Sequence, residues 1–433
     1  MEIWSEEKLN SYNPSSPNEI VGVFQKANTD LANKAVETAA AKFEEWKLVD
    51  AKKRAEYLFK AATLMRKRKH EFSATMVYEV GKTWPEADAD TAEAIDFLEF
   101  YAREMLRFAG PQPVTKISTE KSELRYIPLG VGVVVPPWNF ALAILTGMTS
   151  AAVVAGNTVV LKPSSDSPLT GWQYFSLMRE VGVPAGVINF VTGSGGTVGD
   201  TLVAHPTTRF VSFTGSKEVG IHINELAAKV QPGQKCSAAS RVIVVEKVYD
   251  RIVDLLKEKA EKLTVGTVDD PANYMGPVIN RGAQEKIMEY IGKGLYEGGR
   301  LVAGGKKADG EGYFIQPTVI ADVDPHATIA QEEIFGPVLA VIRAKDFDQA
   351  LEIANNTEFG LTGGIWSKNK KKIEKAKNSF HVGNFYVNRK ITGALVGVHP
   401  FGGFNMSGTD SKAGGRDYLL LFMQAKAISE KIK

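Results

Sequence analysis

A single cysteine occurs in the 433 residues, Cys236, within Gln234-Lys235-Cys236-Ser237. Alone, it forms no internal disulfide and no cysteine-rich metal site, so it is either a small buried hydrophobe or a reactive thiol. Lys235 favours a thiolate electrostatically, and Gly233, Ser237 and Ala238 leave room for a ligand to approach. The chemistry on offer is nucleophilic attack. Three further stretches place polar groups just after apolar runs: Pro136-Pro137-Trp138-Asn139-Phe140, Lys162-Pro163-Ser164-Ser165 and Thr214-Gly215-Ser216. Read singly, each has a plain alternative. Asn139 suits a helix cap, Lys162 a strand-end surface charge, and the glycine turn an ordinary strand-to-helix turn. Phe140, Phe335 and Phe401 suit a core.

The elements that must position these residues follow from periodicity. Residues 31–108 read as packing helices with nothing that looks like chemistry. Ala32, Ala35, Val36, Ala39 and Ala40 make one stripe, and Leu58, Ala61, Ala62 and Met65 a second. Ile95, Leu98, Ala102 and Met105 make a third. Residues 110–126 alternate polar and apolar, as in a hairpin or extended arm. Strands at 131–135, 158–161, 187–191 and 210–213 then alternate with helices at 141–155, 168–181 and 197–204. That rhythm predicts a parallel, doubly wound sheet, whose ligands bind beyond the carboxyl ends of its strands. A helix is expected from Gly215 to Val230. After Cys236 a second α/β section begins, with strands at 242–245, 313–322, 338–344 and 385–388. Pro400-Phe401-Gly402-Gly403-Phe404 forms a tight loop, and the tail 418–432 is expected to add a strand to a neighbour.

Composition bounds the function. At 433 residues two or three domains are expected, and 44% hydrophobic with 24% charged residues is ordinary for a soluble globular chain. A net charge of +2 gives no case for nucleic acid. Residues 127–161 carry no charge, but Pro136-Pro137 and the β-branched runs argue for strand, helix, strand rather than a membrane span. No secretory pattern opens the chain, and no disulfide is possible, so a reducing compartment, the cytoplasm, is expected. No metal site is read.

Taken together and in order, Pro137-Trp138-Asn139-Phe140, Lys162-Pro163-Ser164, Phe213-Thr214-Gly215-Ser216, Gly233-Gln234-Lys235-Cys236, Glu332-Glu333-Ile334-Phe335-Gly336-Pro337 and Pro400-Phe401-Gly402-Gly403 resemble the aldehyde dehydrogenases. Thr392 to Gly397 and Asn405 to Lys412 resemble the branch that oxidises L-glutamate γ-semialdehyde. The resemblance implies two doubly wound α/β domains with a small β oligomerisation arm. It divides the chain into a cofactor domain (1–109 and 127–235, shortened), a catalytic domain (236–417) and an arm with tail (110–126 and 418–433). It implies Cys236 as nucleophile, with Asn139 and the Cys236 N–H holding the oxyanion. Lys162, Ser164, Ser165, Gly215, Ser216, Glu333 and Phe335 would hold NAD, the first and Glu333 at its ribose hydroxyls. Ser165 stands where many relatives carry an acid that rejects a 2′-phosphate, so NADP use is also implied. Ser237, Gly393 and Ala394 would anchor the substrate's α-carboxylate, with Phe140 and Phe401 along its aliphatic part. A homo-oligomer, dimer or dimer-based, is implied too.

One departure stands out. In the family a long segment, carrying the glutamate that acts as general base for thioester hydrolysis, separates the Phe-Thr-Gly-Ser turn from the cysteine. Here Ser216 and Cys236 are 20 positions apart, and no Glu-x-Gly-Gly occurs. The expectation is an internal deletion that weakens the hold on nicotinamide and shifts Cys236, giving weak activity or an acyl-enzyme that turns over slowly. A non-catalytic binding or assembly subunit, or an enzyme for another carboxylated aldehyde, remain as alternatives.

Overall fold

The computed structural model describes residues 3–116, 118–215, 219, 237–408 and 412–432; Ser216, Cys236 and most of the helix expected after Gly215 lie outside them. A hairpin, β1 (Lys8–Asn13) and β2 (Ser16–Gln25), precedes four helices: α1 (Thr29–Trp46), α2 (Ala51–Lys67), α3 (Lys69–Val80) and α4 (Trp84–Ala109). Local chemistry sets their ends. Asn28 caps α1 and Asp50 caps α2 through their side chains, and Pro85 sits in the first turn of α4. Gly81, at φ +65°, ends α3. The expected apolar stripes are buried, from Ala32, Val36 and Ala39 to Leu98, Ala102 and Met105.

Next come β3 (Glu120–Pro128), β4 (Val131–Val135), α5 (Ala143–Val154), β5 (Thr158–Leu161), α6 (Pro168–Glu180), β6 (Ile188–Phe190), α7 (Asp200–Ala204) and β7 (Thr208–Phe213). Strands β4 to β7 form one all-parallel sheet in the order β6-β5-β4-β7. Val134, Val159 and Leu161 face the core built on α2 to α6, whereas Val131, Val133 and Val160 face α1 and α7. Both faces are covered, which is why β4 and β5 read as unbroken apolar runs. Each such buried Val or Leu contributes about 1.5–3 kcal/mol. Gly132 lets β7 approach: a Cβ there would stand 2.1 Å from the Phe210 ring.

The second section holds β8 (Arg241–Val245), α8 (Tyr249–Glu261), α9 (Arg281–Tyr296), β9 (Arg300–Ala303), β10 (Thr318–Ala321), α10 (Thr328–Gln331), β11 (Val338–Ala344) and α11 (Phe347–Asn355). Its sheet runs β8-β11-β10-β9, parallel except for β9. The strand expected over 313–322 contracts to β10, because Pro317 has no N–H to give a ladder. Shorter pieces complete the chain: β12 (Phe359–Gly360), β13 (Thr362–Ile365), α12 (Lys370–Ser379), β14 (Asn384–Val387), β15 (Phe404–Asn405) and β16 (Met423–Lys431). The tail does not need a neighbour's strand. β16 pairs antiparallel with β3 of the same chain over nine residues, from Met423 opposite Pro128 to Lys431 opposite Glu120. No described helix is long and apolar enough to cross a membrane.

Candidate active site

The sheet order creates the site. The chain leaves β4 toward β5 and β6, then returns to the other side of β4 with β7. A crevice opens at such a switch point, beyond the carboxyl ends of the strands. Asn139 follows β4, Lys162 follows β5, and Thr214-Gly215 follows β7. The three stretches singled out in the sequence therefore meet at one edge of one sheet. Lys162 N donates to Val134 O at 2.9 Å and Thr214 N to Val135 O at 3.2 Å, tying both turns to β4.

Asn139 is buried, 7% exposed. The turn that carries it is fixed by α4: Asp90 Oδ1 accepts from Ala143 N, the first residue of α5, at 2.6 Å. The other Asp90 oxygen pairs with Lys82, an ion pair shut away from solvent. The Lys82 ammonium stands 4.4 Å from the Phe140 ring centroid, a cation–π contact that holds the ring. One turn along α4, burial, with the Asp90 charge adding to it and Lys82 opposing, pushes the Glu93 carboxyl up to about 7. These three charged residues lie in the segment the sequence reading passed over. The usable signal was Asp90 itself, a charge on the face shared with Ala87, Ala94 and Leu98.

Lys162 is 4% exposed. Its Nζ donates to Pro163 O at a long 3.4 Å, and among the described residues no carboxylate lies within salt-bridge range. Burial pulls its ammonium down to about 8. A cation held this way has donor capacity to spare, which suits ribose hydroxyls; the residues fit the cofactor the family implies. Ser164 Oγ accepts from Asp166 N at 3.2 Å and Ser165 is exposed. A Cβ at Gly215 would stand 2.6 Å from the Phe213 ring, which would have to shift to admit it.

The second section closes the crevice. Phe335, at φ +62°, meets Trp138 edge-on with ring centroids 5.9 Å apart. Glu333 is half-buried beside it. Ser237 is 8% exposed, and its carbonyl accepts from Thr362 Oγ1 at 3.5 Å. Gly393, at φ +79°, has its carbonyl held by Arg389 Nη2 at 3.1 Å, as does Thr392. Phe401 is clasped from both sides: Asn384 donates to Pro400 O at 3.0 Å and accepts from Gly402 N at 3.1 Å. Lys412 donates to Gly383 O at 2.9 Å and also to Gly402 O. The loop after Gly393 leans on α4, where Gly397 meets the Phe100 ring and Tyr101 OH accepts from Gly414 N at 2.9 Å. Helix α4 thus supports both the Phe140 turn and the Gly393 loop. Arg389 and Asn384 were not read from the sequence, and Lys412 only as the last residue of the Asn405–Lys412 stretch, without a role.

The sequence pattern of the aldehyde dehydrogenase family matches residues 3–232 and again 230–428. The 1-pyrroline-5-carboxylate dehydrogenase of Anoxybacillus flavithermus is 53% identical over 469 positions, covering 99% of this chain and 91% of that protein. That alignment is longer than this chain of 433 residues, so at least 36 of its positions have no residue here. The two-part family match places the break next to Gln231. Among solved structures, a point mutant of the Thermus thermophilus 1-pyrroline-5-carboxylate dehydrogenase superposes with a TM-score of 0.96 at 47% identity, covering all of this chain and 92% of that one. The Thermus enzyme with bound NAD does so with the same TM-score at 46% identity and the same coverage. By its sequence pattern and its relatives, the chain belongs to the aldehyde dehydrogenase family.

Proposed function

We propose that this chain is an NAD-dependent 1-pyrroline-5-carboxylate dehydrogenase that oxidises L-glutamate γ-semialdehyde to L-glutamate. The observation that carries the reading is the meeting of Asn139, Lys162 and Gly215 at one switch-point crevice, in a chain aligned almost end to end with relatives of that name. The Cys236 thiolate adds to the aldehyde carbon, and Asn139 with the Cys236 N–H stabilises the oxyanion, a contribution of about 3 kcal/mol per donor. NAD, when bound, would supply the hydride acceptor, and loss of the hydride from the thiohemiacetal carbon leaves a thioester on Cys236. Water then cleaves it, returning the thiol and releasing the new carboxylate. Lys162, Ser164, Ser165, Ser216, Gly215, Glu333 and Phe335 hold the cofactor; the exposed Ser165 leaves room for NADP as well. Ser237 and the N–H groups of Gly393 and Ala394 receive the α-carboxylate, and Phe140 and Phe401 line its chain. The single cysteine suits the cytoplasm. The β3–β16 ribbon has only two strands among the described residues. Its outer edges offer backbone groups for pairing, which suits assembly into a homo-oligomer built on dimers.

The general-base glutamate is missing from the sequence, so thioester formation outpaces hydrolysis. Rapid mixing with semialdehyde and NAD is expected to give one reduced nicotinamide per site, then a slow steady rate, with the acyl adduct visible by intact mass. Cys236→Ala removes both phases. Steady turnover without a burst refutes the stalled-release reading. No burst, no turnover and an unmodified Cys236 refute the enzyme itself and favour a non-catalytic subunit, the reading that the missing 36 positions would then support.

A further inference from the structure

Helix α6 follows the Lys162–Ser167 loop, yet Ser167 makes no side-chain cap bond. The first N–H groups of α6 go instead to Glu79, on α3. Leu169 N donates to its Oε1 at 2.6 Å, and Thr170 N to its Oε2 at 2.8 Å. Thr170 Oγ1 also donates to Oε2, at 2.7 Å, and Ser11 Oγ of β1 donates to Oε1 at 2.8 Å. Glu79 is 1% exposed. Two backbone N–H groups, which can only donate, and two hydroxyls face the carboxylate, one of each on either oxygen, a pattern that an acceptor with two free oxygens satisfies in full. Burial pushes the Glu79 carboxyl up, while the hydrogen bonds from Thr170, Leu169 and Ser11 oppose it. Among the described residues no cation pairs with it, although a buried charge without one is costly. An ordinary helix cap needs no such residue; Ser or Asp at the N-cap suffices.

The geometry also shows what α6 controls. Gly171, in its first turn, faces Pro163 so closely that a Cβ would stand 3.0 Å from the proline Cβ. A shift of α6 therefore moves Pro163, the neighbour of Lys162. The other end of the loop is already fixed to β4 through Lys162 N. Ser167 N closes it on Ser164 O at 3.2 Å.

We propose that Glu79 is a positioning residue for cofactor binding, fixing α6 and through Pro163 the Lys162–Ser165 loop. This rests on the reading of that loop as the ribose site. In Glu79→Gln the amide nitrogen meets one backbone N–H, which it cannot accept, while the hydroxyl beside it can turn to accept, so at least one of the four bonds is lost. NAD binding to the full chain, followed by calorimetry, is expected to weaken roughly 10-fold or more, the cost of losing one bond to a charged group. The KM for NAD should rise with it while the semialdehyde KM stays within about 2-fold, and the Leu169 and Thr170 amides should exchange hydrogen faster. Thr170→Val, which removes one bond only and keeps the backbone pair, should weaken NAD binding by a smaller factor; it decides the matter if Glu79→Gln does not fold. A lower melting temperature with unchanged NAD affinity makes Glu79 a purely structural residue and overturns the proposal. Equal NAD affinity in the unsubstituted chain and in Lys162→Met overturns the ribose reading, and this inference with it.

Discussion

Lys162→Met separates what the site costs from what it does. The lysine is 4% exposed, with a single long hydrogen bond to Pro163 O and no acidic partner among the described residues. Burial lowers its ammonium from 10.5 to about 8. The sign follows from linkage: with the folded value below the unfolded one, the cost of carrying the proton is fully present below pH 8. It disappears as the pH rises toward 10.5. The difference corresponds to at most about 3 kcal/mol. Methionine keeps the apolar stem without the charge, so the variant should be more stable than the parent at pH 7, by up to roughly 3 °C in Tm for a chain of this size. Above pH 10 the two should converge. On the proposed ribose site binding should move the opposite way, because the variant would give up charge-assisted hydrogen bonds worth about 1.5–3 kcal/mol. NAD affinity should fall by roughly 10- to 100-fold. Thermal melts across pH 6 to 10.5, paired with calorimetric NAD titrations, test both halves. A variant that is less stable at pH 7, or that binds NAD as tightly as the parent, refutes the reasoning.

Two other substitutions probe the rim of the crevice. Glu93 has a folded value of about 7 against 4.5 unfolded, raised by burial and by Asp90, so the stability it contributes is complete below pH 4.5 and lost as the pH rises through 7. Glu93→Gln should therefore gain on the parent by up to about 3 kcal/mol between pH 5 and pH 8, a ceiling for a half-buried group; urea midpoints showing a constant gap would sink the idea. Asn384→Ala removes the clasp on Pro400 O and Gly402 N, two bonds worth about 1 kcal/mol each. The semialdehyde KM should rise by up to roughly 30-fold with NAD affinity unchanged, and equal effects on both ligands would count against Phe401 as a substrate contact.

The parts legible in the sequence are those whose chemistry is local. Val131 to Val135 and Thr158 to Leu161 announce strands buried on both faces, and the polar residues just after them announce a crevice. What was hidden depends on residues far apart in the chain. Lys82 and Asp90 look like the solvated face of a helical region until α4 is laid against the turn at Phe140. Glu79 looks like one more helix glutamate until Leu169 and Thr170 arrive from α6. The tail of alternating residues in β16 shows that it will pair, but nothing local says that β3 of its own chain is the partner. The Trp138–Phe335 contact joins two sections that no periodicity connects.

The sheet order also decides which half of the chemistry the shortened chain keeps. Asn139 and Lys162 hang from β4 and β5, strands with neighbours on both sides and buried faces. Gly215 hangs from β7, the outermost strand among the described residues, whose side chains are half-exposed. A parallel neighbour for β7 needs a strand plus a crossover of a dozen or more residues. The relatives' 36 or more extra positions, falling near Gln231, are enough to supply both. Among the described residues the Gly215 turn is held to the sheet through β4 alone, with a register irregularity between Val131 and Gly132. The loss therefore falls on the edge strand and on the residue that would activate water. Asn139 draws on the sheet's interior, and under the proposed mechanism it is therefore product release that the missing segment is expected to slow; a burst of reduced nicotinamide followed by a slow steady rate is the result that checks it.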